Sequence, residues 1–325
     1  ASFRWDGGDQ LGNVGAVGSY TYATGATDAA GNHTSESIGP IRVDTRVVSA
    51  VTSFSGTGFS PNNDDYRETM DINLFASPNE EIAEWSLSLV NEEGRTVKRF
   101  GSEEATSVPR SLTWDGRTDS GEMADDGTYS AELEVNYLKG DIARGTSSSP
   151  IILDTTGPAV SIDAGPTPFS PDDDGEADVL TINVDAPTDP AGYEQWEIRI
   201  LDPKGNRFYL YNGRGRPPRR LTWDGYSADG ELVQAASEYT IEGIFVDELR
   251  NSRTVREILP IDVLVIKEGD QYKIRISSIN FAPNTAEFTG ISPEQDQKNE
   301  QTLDRLSEIL QKYDEYRIRV EEIGR

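Results

Sequence analysis

The sequence predicts a mainly β protein, with β-sandwiches in tandem followed by a C-terminal α+β segment. Three observations predict it. A triplet recurs at fixed period, apolar residues fall at every second position between its copies, and the spacing turns helical near the end.

The triplet is Trp5-Asp6-Gly7, Trp114-Asp115-Gly116 and Trp223-Asp224-Gly225, and its copies are evenly spaced. A tyrosine follows each one (Tyr20, Tyr129 and Tyr239), at an interval from its tryptophan that varies by a single position. Phe59-Ser60-Pro61-Asn62-Asn63-Asp64 returns one period later as Phe169-Ser170-Pro171-Asp172-Asp173-Asp174. Asp44-Thr45 returns at the same interval as Asp154-Thr155. A repeat of this length marks an array of like domains, each near ordinary domain size.

Between the landmarks, polarity alternates. Ile72 and Leu74 are apolar against Asp71 and Asn73, and Leu180, Ile182 and Val184 against Thr181 and Asn183. Trp85, Leu87 and Leu89 alternate too, as do Trp196, Ile198 and Ile200, and Tyr129, Ala131, Leu133 and Val135. Such runs are strands with one face in a core. Turns separate them: Asn91-Glu92-Glu93-Gly94, Asp202-Pro203-Lys204-Gly205-Asn206, Asp119-Ser120-Gly121 and Asp125-Asp126-Gly127. Glycine there supplies positive φ, and proline fixes φ. The third copy keeps Ala228-Asp229-Gly230 but has Ala236-Ser237-Glu238 in place of the second turn. Several short strands in each repeat predict two sheets packed face to face.

The last fifty residues change rhythm. Tyr272, Ile274 and Ile276 alternate as one strand, and Ile279 and Phe281 continue it after a one-residue slip, which predicts a bulge. Ser292-Pro293-Glu294-Gln295 opens a helix, with serine at the cap, proline at the first position and glutamine three residues after the serine. Leu303, Leu306, Leu310 and Tyr313 follow as one apolar stripe on a helix of about 20 residues. Tyr316, Ile318 and Val320 alternate again as a second strand, so the unit reads strand, helix, strand.

Composition narrows the function. With 57 acidic residues against 30 basic, the net charge is −27, which argues against nucleic acid as a partner. It leaves room for cations. There is no cysteine, so the cores rather than disulfides must hold the fold. No apolar run approaches the roughly 20 residues that cross a bilayer. The chain opens at Ala1-Ser2-Phe3-Arg4-Trp5, within a repeat and with no secretory signal, so its natural N-terminus is expected to lie elsewhere.

Few residues suggest chemistry. Asp172, Asp174 and Asp178 put carboxylates around Gly175, as a hard cation such as calcium requires. An EF-hand is excluded, because its twelfth-position glutamate would fall at Asn183, inside a strand. The competing reading is that these side chains cap a tight turn after Phe-Ser-Pro. The repeated tryptophans could stack on sugars, but their equivalent placement favours core packing. His33 sits in a turn after Gly31-Asn32 and reads as a surface residue. Arg214, Arg216, Arg219 and Arg220 read as a solvated loop paired with nearby carboxylates. No phosphate loop, thiolate metal spacing or nucleophile elbow occurs, so the chain is expected to be no enzyme.

The order Trp-Asp-Gly, Asp-Gly turn, Gly-x-Tyr, then Ala26-Thr27-Asp28-Ala29-Ala30-Gly31-Asn32, resembles the FlgD-type immunoglobulin-like repeat of bacterial envelope and flagellar-hook proteins. Copies two and three depart at the last element, with Tyr137-Leu138-Lys139-Gly140-Asp141 and Val246-Asp247-Glu248-Leu249-Arg250-Asn251. Ile279-Asn280-Phe281, Asn284-Thr285-Ala286-Glu287-Phe288, Leu303 to Leu310 and Ile318-Arg319-Val320-Glu321 resemble the opening of an OmpA-like, peptidoglycan-associated domain. That family grips the diaminopimelate of the wall peptide with an aspartate in the loop after the second strand and an arginine on the next helix. Here Glu322-Ile323-Gly324-Arg325 fill the loop positions, with arginine in place of the aspartate, so no binding residue carries over.

The resemblances imply four segments: residues 1–46 as the end of one immunoglobulin-like repeat, 47–157 and 158–266 as complete sandwiches, and 267–325 as a partial OmpA-like βαβ module. They imply a non-enzymatic scaffold of the periplasm or outer envelope, with peptidoglycan or envelope proteins as partners. Two other expectations stand beside it. One is a binding module that takes calcium, glycan or protein through its repeat loops, and the other is a flagellar-hook or appendage assembly factor.

Overall fold

The computed structural model describes residues 4–9, 11–102, 107–269, 271–276, 279–283, 285, 287–312, 315 and 317. The protein is mainly β, and it divides into two compact units, residues 1–155 and 156–325.

The first unit opens with a hairpin of β1 (Gly18–Thr27) and β2 (His33–Val43). Both its strands are largely exposed. A sandwich follows, made of β3 (Ser49–Phe54), β4 (Gly58–Phe59), β5 (Met70–Ser77), β6 (Ile82–Asn91), β7 (Thr96–Ser102), β8 (Ser111–Trp114), β9 (Gly127–Tyr137), β10 (Ile142–Thr146) and β11 (Ile151–Leu153). One sheet runs β3-β5-β8; the other runs β4-β11-β9-β6-β7, with β10 also paired to β9. Alternation does its expected work. Along β5, Met70, Ile72, Leu74 and Ala76 are buried while Asp71, Asn73 and Phe75 face out. Trp85, Leu87 and Leu89 of β6 meet Ala131, Leu133 and Val135 of β9 in one core, with Trp114 fully buried.

The second unit repeats the plan. Its strands are β12 (Ser161–Gly165), β13 (Leu180–Asp185), β14 (Tyr193–Leu201), β15 (Arg207–Arg214), β16 (Arg220–Trp223), β17 (Glu238–Asp247) and β18 (Ser252–Pro260). Sheets β12-β13-β16 and β15-β14-β17-β18 enclose Trp196, Ile198, Ile200, Trp223, Ile241 and Phe245. The parallel pairing of β4 with β11 has a counterpart in the bridge from Phe169 to Ile261.

The C-terminal segment shows the expected first strand and helix, with a pairing that was not expected. Tyr272 and Ile274 do lie on a strand, β20 (Gln271–Arg275), but it pairs antiparallel with β19 (Leu264–Glu268). The two form a tight hairpin whose register brings Glu268 opposite Gln271, so the expected boundary at 266/267 cuts through it. Gly269, at φ +64°, supplies the left-handed backbone that such a turn needs. Ile276, Ile279 and Phe281 belong to no strand, which removes the expected bulge. The helix α1 (Pro293–Lys312) begins at the expected proline and has 20 residues. Ser292 Oγ accepts from the Gln295 amide, the capping bond that its position implied. The buried face is offset from the expected stripe. Asn299, Thr302 and Ile309 are buried, and Leu303, Leu306 and Leu310 only partly so. Asn299 causes the offset, since its amide donates to the carbonyls of Asn280 and Phe288 at 2.9 and 2.6 Å. Ile309 packs with Val263, Val265, Tyr272 and Ile274. Arg305 forks onto Asp262 at 2.7–3.1 Å and ties the helix to the end of the sandwich. Tyr313, Tyr316, Ile318, Val320 and the loop positions 322–325 lie outside the described residues. Among the described residues, no helix is long and apolar enough to cross a membrane.

Candidate functional site

The aromatic motif is structural in both sandwiches. Trp114 packs between Phe59 and Tyr129, with ring centres 5.2 and 5.0 Å away, and its Nε1 donates to the Arg117 carbonyl at 2.9 Å. Trp223 packs on Phe169 and Phe208 at 5.5 and 6.0 Å and donates to the Tyr226 carbonyl at 2.8 Å. Neither ring has a free face for a sugar, since Trp114 is 0% and Trp223 2% exposed. The aspartate of each triplet turns back to accept an amide two residues on, as Asp115 does from Arg117 and Asp224 from Tyr226. The glycine then takes positive φ, +80° at Gly116 and +84° at Gly225.

The loop from Ser170 to Asp178 brings the three predicted carboxylates together. Asp172, Asp174 and Asp178 each offer an oxygen within 4.8 Å of the others. Every second residue here has positive φ, namely Asp173, Gly175 and Ala177 at +66°, +92° and +58°. Alternation of this kind points successive amides inward and makes a nest for an anion. The Asp178 carboxylate fills it, with Oδ1 accepting from the amides of Asp172 and Asp173 at 3.1 and 2.6 Å and Oδ2 from Gly175 at 2.8 Å. Asp174 Oδ1 accepts from Glu176 at 2.8 Å, an ordinary Asx turn. Turn capping is thus real for Asp174 and Asp178. Asp172 differs. It is buried, its Oδ2 accepts from the Val265 amide of β19 at 2.8 Å and from Ser170 Oγ at 3.4 Å, and its Oδ1 has no hydrogen-bond partner among the described residues. Burial pushes its carboxyl above the ordinary range, the amide of Val265 pulls the other way, and the neighbouring charges of Asp174 and Asp178 raise it further. Lys312 Nζ lies 3.9 Å from Asp174.

The other candidates resolve plainly. His33 is exposed, with its Nδ1 3.1 Å from Thr27 Oγ1. Among the described residues, the arginine loop does not pair with carboxylates as expected. Arg216 donates to the Ala186 carbonyl and Arg220 to Thr181 Oγ1 at 3.0 Å.

Sequence reasoning missed two features. The later copies depart in sequence from the Asp28-to-Asn32 element, yet the same turn closes all three. The amides of Asp28, Tyr137 and Asp247 donate to the carbonyls of Asn32, Asp141 and Asn251. Arg250, at φ +69°, stands where the other copies have glycine. The signal was the Asp-x-x-x-Asn spacing of Asp247 and Asn251, which survives without the glycine. Asn299 was also missed, because a polar residue inside an amphipathic pattern reads as solvent-facing.

Residues 64–139 match the model of the FlgD Ig-like domain family. No curated protein shows significant similarity to the chain. Solved structures similar to it include the tetra-tandem repeat in the extending region of a large adhesion protein, 17% identical over 77% of this chain and 59% of that one, with a TM-score of 0.33. A Ca2+-stabilized adhesin of an Antarctic bacterium is 17% identical over 75% of this chain and 56% of its own, with a TM-score of 0.32. A bacterial ice-binding adhesin is 12% identical over 76% of this chain and 74% of its own, at a TM-score of 0.34. The chain spans less than two thirds of the length of the first two. The chain is a mainly β protein with FlgD Ig-like sequence in its first sandwich.

Proposed function

We propose that the chain is a non-enzymatic spacer of the bacterial cell envelope, in which immunoglobulin-like sandwiches separate or tether envelope components and carry an OmpA-like segment. One observation carries the reading: two sandwiches on one plan spend their repeated aromatic residues on their cores. Two carboxylates serve structure as well. Asp44 is held far below the ordinary range by its hydrogen bonds to Arg46, and Asp28 below it by Asn32. Acidity of −27 suits a solvated, non-aggregating surface. Periplasm or outer envelope is the compartment that the repeat resemblance implies. Envelope proteins are the proposed partners; peptidoglycan is the ligand of the family that the last segment resembles. The FlgD Ig-like match at residues 64–139 favours a second reading, an appendage-assembly factor.

A spacer must bear load one module at a time. Pulled by its ends, the chain is expected to give two separate unfolding events, each releasing roughly 110 residues, or about 300–400 Å of contour. Release in a single event overturns the modular spacer. Sedimentation with purified peptidoglycan is expected to leave residues 1–325 in solution, and co-sedimentation would place wall binding within them.

A further inference from the structure

We propose that the loop Ser170–Asp178 is a calcium site, with Asp172, Asp174 and Asp178 as its carboxylate ligands. The protein itself carries the informative substitution, between its two sandwiches. The loop 60–68 of the first sandwich has the same backbone, with positive φ at Asn63, Asp65 and Arg67 and the Ser60 amide bonded to the Arg67 carbonyl as Ser170 is to Ala177. Glu68 takes the nest there, accepting from the amides of Asp64 and Asp65 at 2.7 and 3.2 Å, where Asp178 takes those of Asp172, Asp173 and Gly175. Position for position, Asn62 stands where the second loop has Asp172. Asn62 needs no ion, for its Nδ2 donates to the Asp64 carboxylate at 3.4 Å and its Oδ1 accepts from the Asp64 amide at 3.0 Å. Asp172 has no such donor. It sets a second carboxylate against Asp174 and buries it, 8% exposed, with Oδ1 left unpartnered. An orphaned carboxylate oxygen among like charges costs stability unless a cation meets it.

The stereochemistry suits calcium. Oxygens bound to one calcium ion at about 2.4 Å are at most about 4.8 Å apart. The three carboxylates meet that limit. A carboxylate offers about four acceptor sites. Asp178 spends three on the nest, Asp174 spends one on Glu176, and Asp172 Oδ1 spends none, so each retains a site for a metal. Asp174 and the turn around it are exposed, which leaves water to complete a calcium shell. Because Asp172 Oδ2 also holds the Val265 amide, the ion would brace the contact between this loop and β19.

The test titrates the chain with calcium chloride and follows heat and melting temperature, beside the variants Asp172→Asn, Asp174→Asn and Asp64→Asn. The native chain is expected to half-saturate near 0.1–1 mM, as extracellular calcium modules do. At ~10 mM its melting temperature should rise by about 4–8 °C. Asp172→Asn installs the residue of the first loop, so it should fold, lose the calcium response and be no less stable than the native chain without calcium. Asp174→Asn should weaken binding at least tenfold, and Asp64→Asn should respond as the native chain does. Absence of any calcium-dependent rise overturns the site, as does a rise that survives in both Asp172→Asn and Asp174→Asn.

Discussion

The segment around Trp5 and the two complete sandwiches carry the same motif in different company. Locally they are alike. Trp5 Nε1 donates to Gly8 O at 2.7 Å, Gly8 donates to Asp6, and Gly7 sits at φ +86°, just as around Trp114 and Trp223. Tyr20 even donates to the Ala16 carbonyl at 2.7 Å, as Tyr129 does to Asp125 at 2.6 Å. Yet Trp5 is 41% exposed against 0% for Trp114. Its ring partner is Tyr20 alone among the described residues, whereas Trp114 also has Phe59 from the other side of a core. The motif writes its own turn, and burial is contributed by sequence far from it.

The largest break in that comparison comes from truncating the ring. Trp114→Ala should cost the first sandwich about 3–5 kcal/mol, the usual loss for a buried large aromatic, and Trp223→Ala the same in the second. Trp5→Ala should cost less than either, because two-fifths of the Trp5 side chain still faces water in the folded chain. Denaturant unfolding reads the first two, and hydrogen exchange of the β1–β2 amides reads the third. Equal losses at all three positions would show that the motif stabilises through its turn and not through the core.

Glycine sharpens the contrast at smaller scale. At Gly7 an added Cβ meets nothing within 4 Å, so Gly7→Ala carries only the left-handed strain of about 1–2 kcal/mol. At Gly225 the same atom would lie 2.5 Å from Pro171 Cγ, and at Gly116 2.8 Å from Pro61 Cγ. A proline ring is rigid and cannot swing aside, so Gly116→Ala and Gly225→Ala should cost upward of ~2–3 kcal/mol. Melting curves of the three variants, with two falling well below the first, are the expected result.

How far the sequence revealed this follows from the range of each interaction. Period-two alternation is a property of one strand, and β5, β6, β9, β13 and β14 stand where Ile72, Trp85, Tyr129, Leu180 and Trp196 placed them. The Asp172 cluster was legible from spacing alone, because its geometry lies within one short loop. What distinguishes Asp172 from its neighbours was not legible, since it depends on Val265, 93 residues away. The C-terminal hairpin was misjudged for a related reason. Leu264 and Val265 are buried on consecutive positions, so β19 has no alternating signature and was absorbed into the preceding sandwich. Asn299 is buried by carbonyls 11 and 19 residues upstream, which no helical pattern can announce.

The smallest effect tests the turn at the tip of the N-terminal hairpin, which closes the antiparallel ladder of β1 and β2. The Asn32 side chain, then its amide, donates to Asp28 and lowers the Asp28 carboxyl below the ordinary range. A carboxyl lowered by folding stabilises the folded form above its unfolded pKa, and that contribution is lost as pH falls through the folded pKa. The β1–β2 amides should therefore lose exchange protection on acidification, in a window below pH 4, where Asp28 takes up its proton. Asn32→Ala removes the strongest donor and should bring the Asp28 carboxyl back toward its ordinary range, read as a shifted midpoint in an NMR titration of its side chain. In the second copy Tyr137 stands where Asp28 does, so the β9–β10 turn lacks this carboxylate and should keep its protection through the same window. If both turns open together, local carboxylate chemistry is not what closes the first, and the strand pairing of β1 with β2 must be holding it instead.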